Sequence, residues 1–486
     1  MKKLFPYLLT SLIFALVLNL TQPSYMYVNT HDEDDNIVSG FLMSRSGYKL
    51  GKDIFTHHLP GVYVMSESLD KIFSPETTDQ SVLVHRSFVT LWNYFWAVLV
   101  VFIWGPPALW LIVTVELLRA LFLFGLFHAE NLVMYPLIYL LLTFFNSQKI
   151  RPLLTGLANG MVTILLAPLW PLVGLSLAQF GLLNKKKPAR LGWCVLSFLV
   201  PVIYLLPNVE IREFLVQFFG YNTLTYVPLL IANLWRYFLT AFLAPVMVLF
   251  DRSLLTKVVF MQLLVLFTFV LNFRKIKFSK MLLWGLLLGV IGFRSTPRLK
   301  NPSLDFHVLP WVIALATMCW YKYFSVKEKM GLVWWLLLLV PLLLFLKAPA
   351  EYFPIEGQQG KMVVRLDDDS PIVDYLKQRN DGGETLFALP AHTLLYQQTG
   401  LKPFNKFLFF LPWMERSPIL YDDLLESFQS DLPTFIFIDS INFPYFPPEE
   451  IQNILKNYRE VKVEESQPPI YVHSAFKDSP STAGRP

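Results

Sequence analysis

Residues 29 to 65 read NTHDEDDNIVSGFLMSRSGYKLGKDIFTHHLPGVYVM, with Asp32, Glu33, Asp34 and Asp35 in succession and the pair His57 and His58 further on. A carboxylate held beside a substrate can take the proton from an attacking hydroxyl or amine, and general-base help of this kind is worth roughly 10² to 10⁴ in rate. If the leaving group carries phosphate, nearby cations must stabilise its growing charge. Arg86, Arg294, Arg298, Lys300 and His307 are candidates for that role. His31, Asp32, His57 and His58 also suit a divalent metal by donor type, although no close spacing such as His-x-x-x-His accompanies them. The plain alternative is a solvated acidic loop. Against it stand a loop length of about 60 residues, where loops beyond about 15 are usually functional or disordered, and the interleaved apolar residues Ile37, Phe41, Leu42, Ile54, Phe55, Leu59 and Val62, which suit short helices at a membrane surface.

The elements that must hold these residues are membrane spans. The chain has 486 residues, 54% hydrophobic and only 16% charged, whereas soluble proteins carry roughly a quarter charged residues. Its apolar residues fall in runs of about 16 to 22, close to what a helix needs to cross the hydrocarbon layer. A closed barrel would show alternating segments instead. Spans are expected near 4 to 22, 86 to 104, 107 to 127, 131 to 147, 152 to 166, 168 to 183, 191 to 207, 254 to 272, 281 to 294, 306 to 323 and 331 to 348. That makes about eleven, or thirteen if residues 227 to 250 form two tight spans rather than a re-entrant or interfacial pair. The first run is followed by TQPSYMYVN, with no small-x-small cleavage site, so it is read as a retained span with Lys2 and Lys3 inside.

The basic clusters SQKIRP, NKKKPAR, NFRKIKFSK and KYFSVKEK are expected on the cytoplasmic side. The loop 23–85, the loop 295–305 and everything after about residue 349 then lie outside. The fold expected is a polytopic α-helical membrane protein, residues 1–349, carrying a C-terminal extracytoplasmic α/β domain over 350–476. There, strand-like runs such as TLFALP and TFIFID alternate with helical stretches such as SPIVDYLKQRN. The tail 477–486 has no apolar content to pack and is expected to be disordered. No Walker loop, dinucleotide fingerprint or basic-aromatic stripe is present, so no nucleic-acid partner is expected. Cys194 and Cys319 lie inside apolar runs and read as small hydrophobes.

The order of a first span, an Asp-Glu pair, a glycine-containing turn, an Asp and a His-x-Pro (HDEDDNIVSG, then SGYKLGKDIFTHHLPG), many spans and an outer α/β domain resembles the GT-C superfamily of integral-membrane glycosyltransferases. Within it, the chain is similar to the bacterial and archaeal enzymes related to protein O-mannosyltransferases and aminoarabinose transferases. FHAENLVMYPLIYLLL and FRSTPRLKNPSLDFHVLPW are weaker matches. The resemblance implies inverting transfer of a sugar from a polyprenyl-phosphate donor to a lipid, glycan or protein acceptor, at the outer face of the plasma membrane and in service of the cell envelope. It makes Asp32 the base and Glu33 its companion, brings His57, His58 and Glu130 into the substrate site, and gives the donor phosphate to Arg294, Arg298 and His307, with Arg86 as a further candidate. Asp34 and Asp35 are acids beyond the family's pair, and Asp35 is kept as a substrate-site candidate. His58-Leu59-Pro60 lacks the family's first proline, and HVLPW lacks the tyrosine that often follows the histidine. No organic or redox cofactor is implied, and a divalent metal stays open.

Two other features have structural readings. Glu116 and Arg119 stand three apart in an apolar run, where an i, i+3 pair can satisfy itself. Gly156 and Gly160 form a small-xxx-small face suited to helix packing. The competing reading of the whole chain is a non-catalytic lipid or polysaccharide transporter, or an assembly scaffold. A transporter should bury functional charge near the bilayer midplane, whereas here charge concentrates at the outer edge.

Overall fold

The computed structural model describes residues 4–21, 31–121, 125–230, 234–251, 261–266, 268, 278–295, 306–325, 368–439, 447–464 and 467–476. The span expected at 331 to 348, most of that at 254 to 272, Arg298, Lys300 and the tail 477–486 lie outside them. Two compact units are distinguished. The first comprises Met1–Tyr25, Arg86–Leu205 and Leu230–Ile355; the second comprises Met26–His85, Leu206–Leu229 and Glu356–Pro486.

The chain begins with α1 (Phe5–Thr21), α2 (His31–Ser46), α3 (Gly61–Phe73) and α4 (Thr78–Trp104). Next come α5 (Ala108–Leu121), α6 (Ala129–Phe145), α7 (Pro152–Leu165), α8 (Trp170–Asn184) and α9 (Pro188–Leu205). After α10 (Ile211–Tyr221) a π-helical stretch, Asn222–Tyr226, leads into α11 (Val227–Leu230). Then follow α12 (Leu234–Leu249), α13 (Phe278–Ser295) and α14 (Leu309–Ser325). Helix α4 starts eight residues before the expected span at 86, because Asp79 in its first turn suits the positive end of the helix dipole.

Two described stretches, Thr78–Trp104 and Pro188–Asn208, are long and apolar enough to cross a membrane, and six further apolar helices are shorter. Within the first unit, α6 is apolar around its whole circumference and buried from Glu130 to Thr143, the pattern of a helix wrapped by neighbours. Helix α9 is the opposite case, exposing Trp193, Val195, Leu196, Val200 and Ile203. It packs on α7 through Gly156 and Gly160, where an added Cβ would run into the Cys194 and Phe198 carbonyls. This is the helix-packing role expected of that small-residue face. Glu116 is buried and accepts a hydrogen bond from Tyr135 Oη at 2.9 Å, while the Arg119 side chain lies outside the described residues. Trp96 is fully buried and Trp92 donates to the Leu132 carbonyl, so both pack within the unit.

The second unit holds α15 (Pro371–Lys377), β1 (Thr385–Leu389), α16 (Leu394–Thr399), β2 (Lys402–Pro403), α17 (Pro418–Ser430) and β3 (Phe435–Ile438). It ends with α18 (Glu449–Leu455), β4 (Tyr458–Val461) and β5 (Ile470–His473). The strands form one mixed sheet in the order β2-β1-β3-β5-β4. β1 is parallel to β2 and β3, and β5 runs antiparallel to β3 and β4. The central strands TLFAL and FIFI are nearly continuous apolar runs and are buried, as strands covered on both faces require. The edge strand YREV keeps its charges exposed. The two-residue β2 has no signal in the sequence.

Residues 50 to 57 are tied to two distant parts of the chain. Leu50 N–H donates to the Asn208 carbonyl at 3.1 Å and Glu210 N–H to Leu50 at 2.9 Å, while Phe55 N–H reaches the Lys406 carbonyl at 2.8 Å. Gly51 adopts φ +88°, and a Cβ there would collide with the backbone of Phe214. Only glycine meets both demands without strain.

Candidate functional site

Helix α2 places Asp32, Glu33 and Asp34 in its first turn and Arg45 in its last, an arrangement that complements the helix dipole at both ends. Of the four consecutive acids, Glu33, Asp34 and Asp35 are buried and only Asp32 keeps partial exposure. α2 packs on α3 at Gly40, where an added Cβ would strike the Ser66 side chain. One side-chain link joins this pair of helices, and a second joins α3 to α4. Arg45 Nε meets Asp70 Oδ2 at 3.1 Å, and Ser66 Oγ meets His85 Nε2 at 2.7 Å, with His85 Nδ1 on the Ser81 carbonyl.

A chain of hydrogen bonds runs from Asp35 to the histidine pair. Tyr63 Oη donates to Asp35 Oδ2 at 2.9 Å, Thr56 Oγ1 donates to Tyr63 Oη at 2.8 Å, and His58 N–H donates to Thr56 Oγ1 at 3.0 Å. Burial, opposed by the Tyr63 hydrogen bond and reinforced by the charge of Asp32, pushes the Asp35 carboxyl up to about 7. Burial, with the negative charge of Asp35, pushes the Tyr63 hydroxyl well above its ordinary range, so it stays a donor.

The His57 and His58 rings lie 4.0 Å apart, centre to centre. His57 meets Tyr221 edge to face at 5.2 Å and Phe409 at 6.1 Å, and its carbonyl accepts from Asn222 Nδ2 at 2.9 Å. Tyr221 directly precedes the π-helical stretch, a local irregularity often found at functional sites. Phe409 also meets the His31 ring edge-on at 4.8 Å, so one phenylalanine stands against both the start of α2 and the histidine pair.

His31 donates a hydrogen bond to the Ala391 carbonyl. Its Nδ1 is buried and makes no hydrogen bond, so the donor is Nε2 and Nδ1 carries the lone pair. Burial lowers the His31 pKa, with the charge of Asp32 opposing and His392 adding to the effect. One residue beyond Ala391, His392 Nε2 lies 2.8 Å from Asp439 Oδ2, and both side chains are at least nine-tenths buried. Ala391-His392 follows the carboxyl end of β1 and Asp439 follows that of β3. These two parallel strands are adjacent, and the chain leaves β1 for β2 on one side and reaches β3 on the other. In open α/β sheets such a switch point, at the strands' carboxyl ends, is where ligands bind.

The second unit thus gathers Asp32, Glu33, Asp35, His57 and His58. The other expected residues belong to the first. There Arg86 is fully buried on α4, Glu130 is buried in the first turn of α6, and His307 is buried in the single turn Phe306–Val308 before α14. Arg294 is the penultimate residue of α13, with its side chain outside the described residues, as is all of Arg298. Sequence reasoning passed over Tyr63, Tyr221, Phe409, His392 and Asp439. The last two had a readable signal, since TLFALPAH and TFIFID each end a buried strand on a polar residue.

Among the described residues no three His, Cys, Asp or Glu side chains are grouped closely enough to hold a metal ion. A cavity of about 450 Å³ lined by Asp79, Asp368, Asp369, Ser370, Pro371 and Gln467 contains none of the site residues. Both Asp368 carboxylate oxygens are engaged there, by Thr78 N–H and Gln398 Nε2. No protein-family model matches the chain, and no curated protein matches it in sequence.

Proposed function

We propose that the protein is a membrane-embedded glycosyltransferase of GT-C type, transferring a sugar from a polyprenyl-phosphate donor with inversion, and that Asp32 is its general base. The observation that carries this reading is the contrast among the four acids: Asp32 is the partly exposed carboxylate, and its three neighbours are buried. The raised Asp35 holds its proton in part near neutral pH, which relieves the repulsion that four adjacent negative charges would create and leaves Asp32 as the accessible base. The acceptor hydroxyl or amine would lose its proton to Asp32 as it attacks the anomeric carbon, and polyprenyl phosphate would leave.

A membrane setting is supported by the two long apolar helices and by the apolar surface that α9 exposes. The proposed topology keeps about eleven spans, a cytoplasmic N-terminus and an extracytoplasmic C-terminal domain, in the plasma membrane. Arg86, Arg294, Arg298 and His307 remain the proposed phosphate holders, a role supported by their charge and by the resemblance.

The test is transfer of a radiolabelled hexose from undecaprenyl phosphate by the purified full chain in lipid nanodiscs. Asp32→Asn should lose transfer while unfolding at the wild-type temperature. Full transfer by that variant would sink the mechanism, and no transfer by the wild type from any of a panel of hexosyl donors would favour the transporter or scaffold reading.

A further inference from the structure

On the membrane setting proposed above, though not on sugar transfer itself, we infer that α10 lies in the outer surface of a phospholipid bilayer. Its apolar side enters the lipid, and its opposite side carries the histidine turn. Phe214, Gln217, Phe218 and Tyr221 are buried, at the three- and four-residue spacing that puts them on one helix face. Ile211, Leu215, Val216 and Phe219, on the other side, are 44% to 57% exposed. Leu224 and Val227 extend this exposed apolar surface beyond the helix. Single exposed apolar residues are ordinary, whereas a continuous strip of them marks a contact surface.

The place of the helix in the chain names what covers that strip. The membrane-length stretch Pro188–Asn208 ends three residues before Ile211, and three residues reach at most about 11 Å. Helix α10 therefore starts close to the level at which that stretch leaves the hydrocarbon. The basic cluster NKKKPAR at the stretch's other end is expected inside, so this end is the outer one. Arg212 and Glu213 are exposed in the first turn of α10, where a long cationic side chain reaches headgroups while its stem stays on apolar surface. A helix so arranged lies in the membrane plane, its apolar side about 5 to 10 Å into the headgroup boundary.

The buried side gives this contact a consequence for the site. Gln217 Nε2 donates to the Gly51 carbonyl at 2.6 Å, and Asn222 Nδ2, one residue past the helix, donates to the His57 carbonyl at 2.9 Å. Tyr221 stands edge-on to both Phe55, at 5.8 Å, and His57. The lipid surface thereby sets the depth at which the histidine turn is held.

The test is electron paramagnetic resonance of the full chain in nanodiscs of phosphatidylethanolamine and phosphatidylglycerol. One introduced cysteine at a time carries a nitroxide, and the buried Cys194 and Cys319 are replaced by alanine. Collisions with oxygen, which concentrates in lipid, are compared with collisions with a water-soluble nickel chelate. Leu215→Cys and Phe219→Cys should meet oxygen several-fold more often than nickel, and Glu213→Cys should show the reverse. Should either apolar variant fail to fold, Ile211→Cys takes its place with the same expectation. Leu196→Cys, on the exposed side of α9, checks the membrane setting. Nickel contact at Leu215 and Phe219 with oxygen contact at Leu196 would overturn this inference alone. Labels closed to both reagents would overturn it too, because protein would then cover the face. Nickel contact at Leu196 would sink the membrane setting and this inference with it. An inactive wild type with α10 in lipid would sink the transferase reading alone.

Discussion

Tyr63 donates its hydroxyl proton to Asp35 at 2.9 Å, joining α3 to α2 across 28 residues of chain. The same hydroxyl accepts from Thr56, whose Oγ1 in turn holds the His58 amide. A buried carboxylate therefore sets the position of a histidine turn that it does not touch through its own oxygens.

Tyr63→Phe removes the middle of this chain. It leaves the Asp35 carboxylate without its 2.9 Å hydrogen bond and Thr56 Oγ1–H without its acceptor, a loss of about 1 to 3 kcal/mol for buried polar groups. The expected result is a lower unfolding temperature by calorimetry, with a non-additive effect when combined with Asp35→Asn. Additive effects would show that the two side chains act independently.

Stability should fall as pH rises from about 4 to 7. The folded chain holds the Asp35 proton up to about 7, against an ordinary value of 3.8. A group raised in the folded state contributes stability that is fully present below its ordinary value and is lost as pH climbs through the raised one. The unfolding temperature of the wild type should therefore drop by several degrees across that interval, and the Asp35→Asn profile should be flatter. An identical slope in the variant would remove Asp35 as the cause.

Asp32→Asn should lower transfer by roughly 10² to 10⁴, the usual size of a general-base contribution. Asp34→Asn and Glu33→Gln, at buried positions, should act mainly on stability. Initial rates and unfolding temperatures measured on the same preparations separate the two kinds of effect.

Gly51→Ala tests the link between residues 50 to 57 and the segment around α10. The position combines φ +88° with a backbone contact to Phe214, so a methyl group should cost about 1 to 3 kcal/mol. Gly47→Ala, at φ +69° with open space around it, should cost less. Equal losses would point to the dihedral angle alone.

Much of the helix pattern was legible from apolar runs, because burial and chain length act through local periodicity. The runs expected at 131 to 147, 152 to 166 and 191 to 207 correspond to α6, α7 and α9 within a few residues. The packing role of Gly156 and Gly160 was legible for the same reason, since their spacing alone places them on one helix face. The partnership of Leu50 with Asn208, or of His392 with Asp439, was not. Such pairs join residues far apart in the chain, and their types alone name no partner.

By itself, the sequence determined that the chain is apolar and helical, where its charged clusters fall, and that Asp32 to Asp35 and His57-His58 are the residues most able to do chemistry. Only the tertiary structure decided that residues 26 to 85, 206 to 229 and the C-terminal stretch form one compact unit. Only it decided that three of the four acids are buried and Asp32 is not. The reason is physical. Composition and periodicity depend on near neighbours, whereas the exposure of a carboxylate depends on which distant segments pack over it, and here α3, packed on α2 and bonded to Asp35 through Tyr63, takes part in that choice.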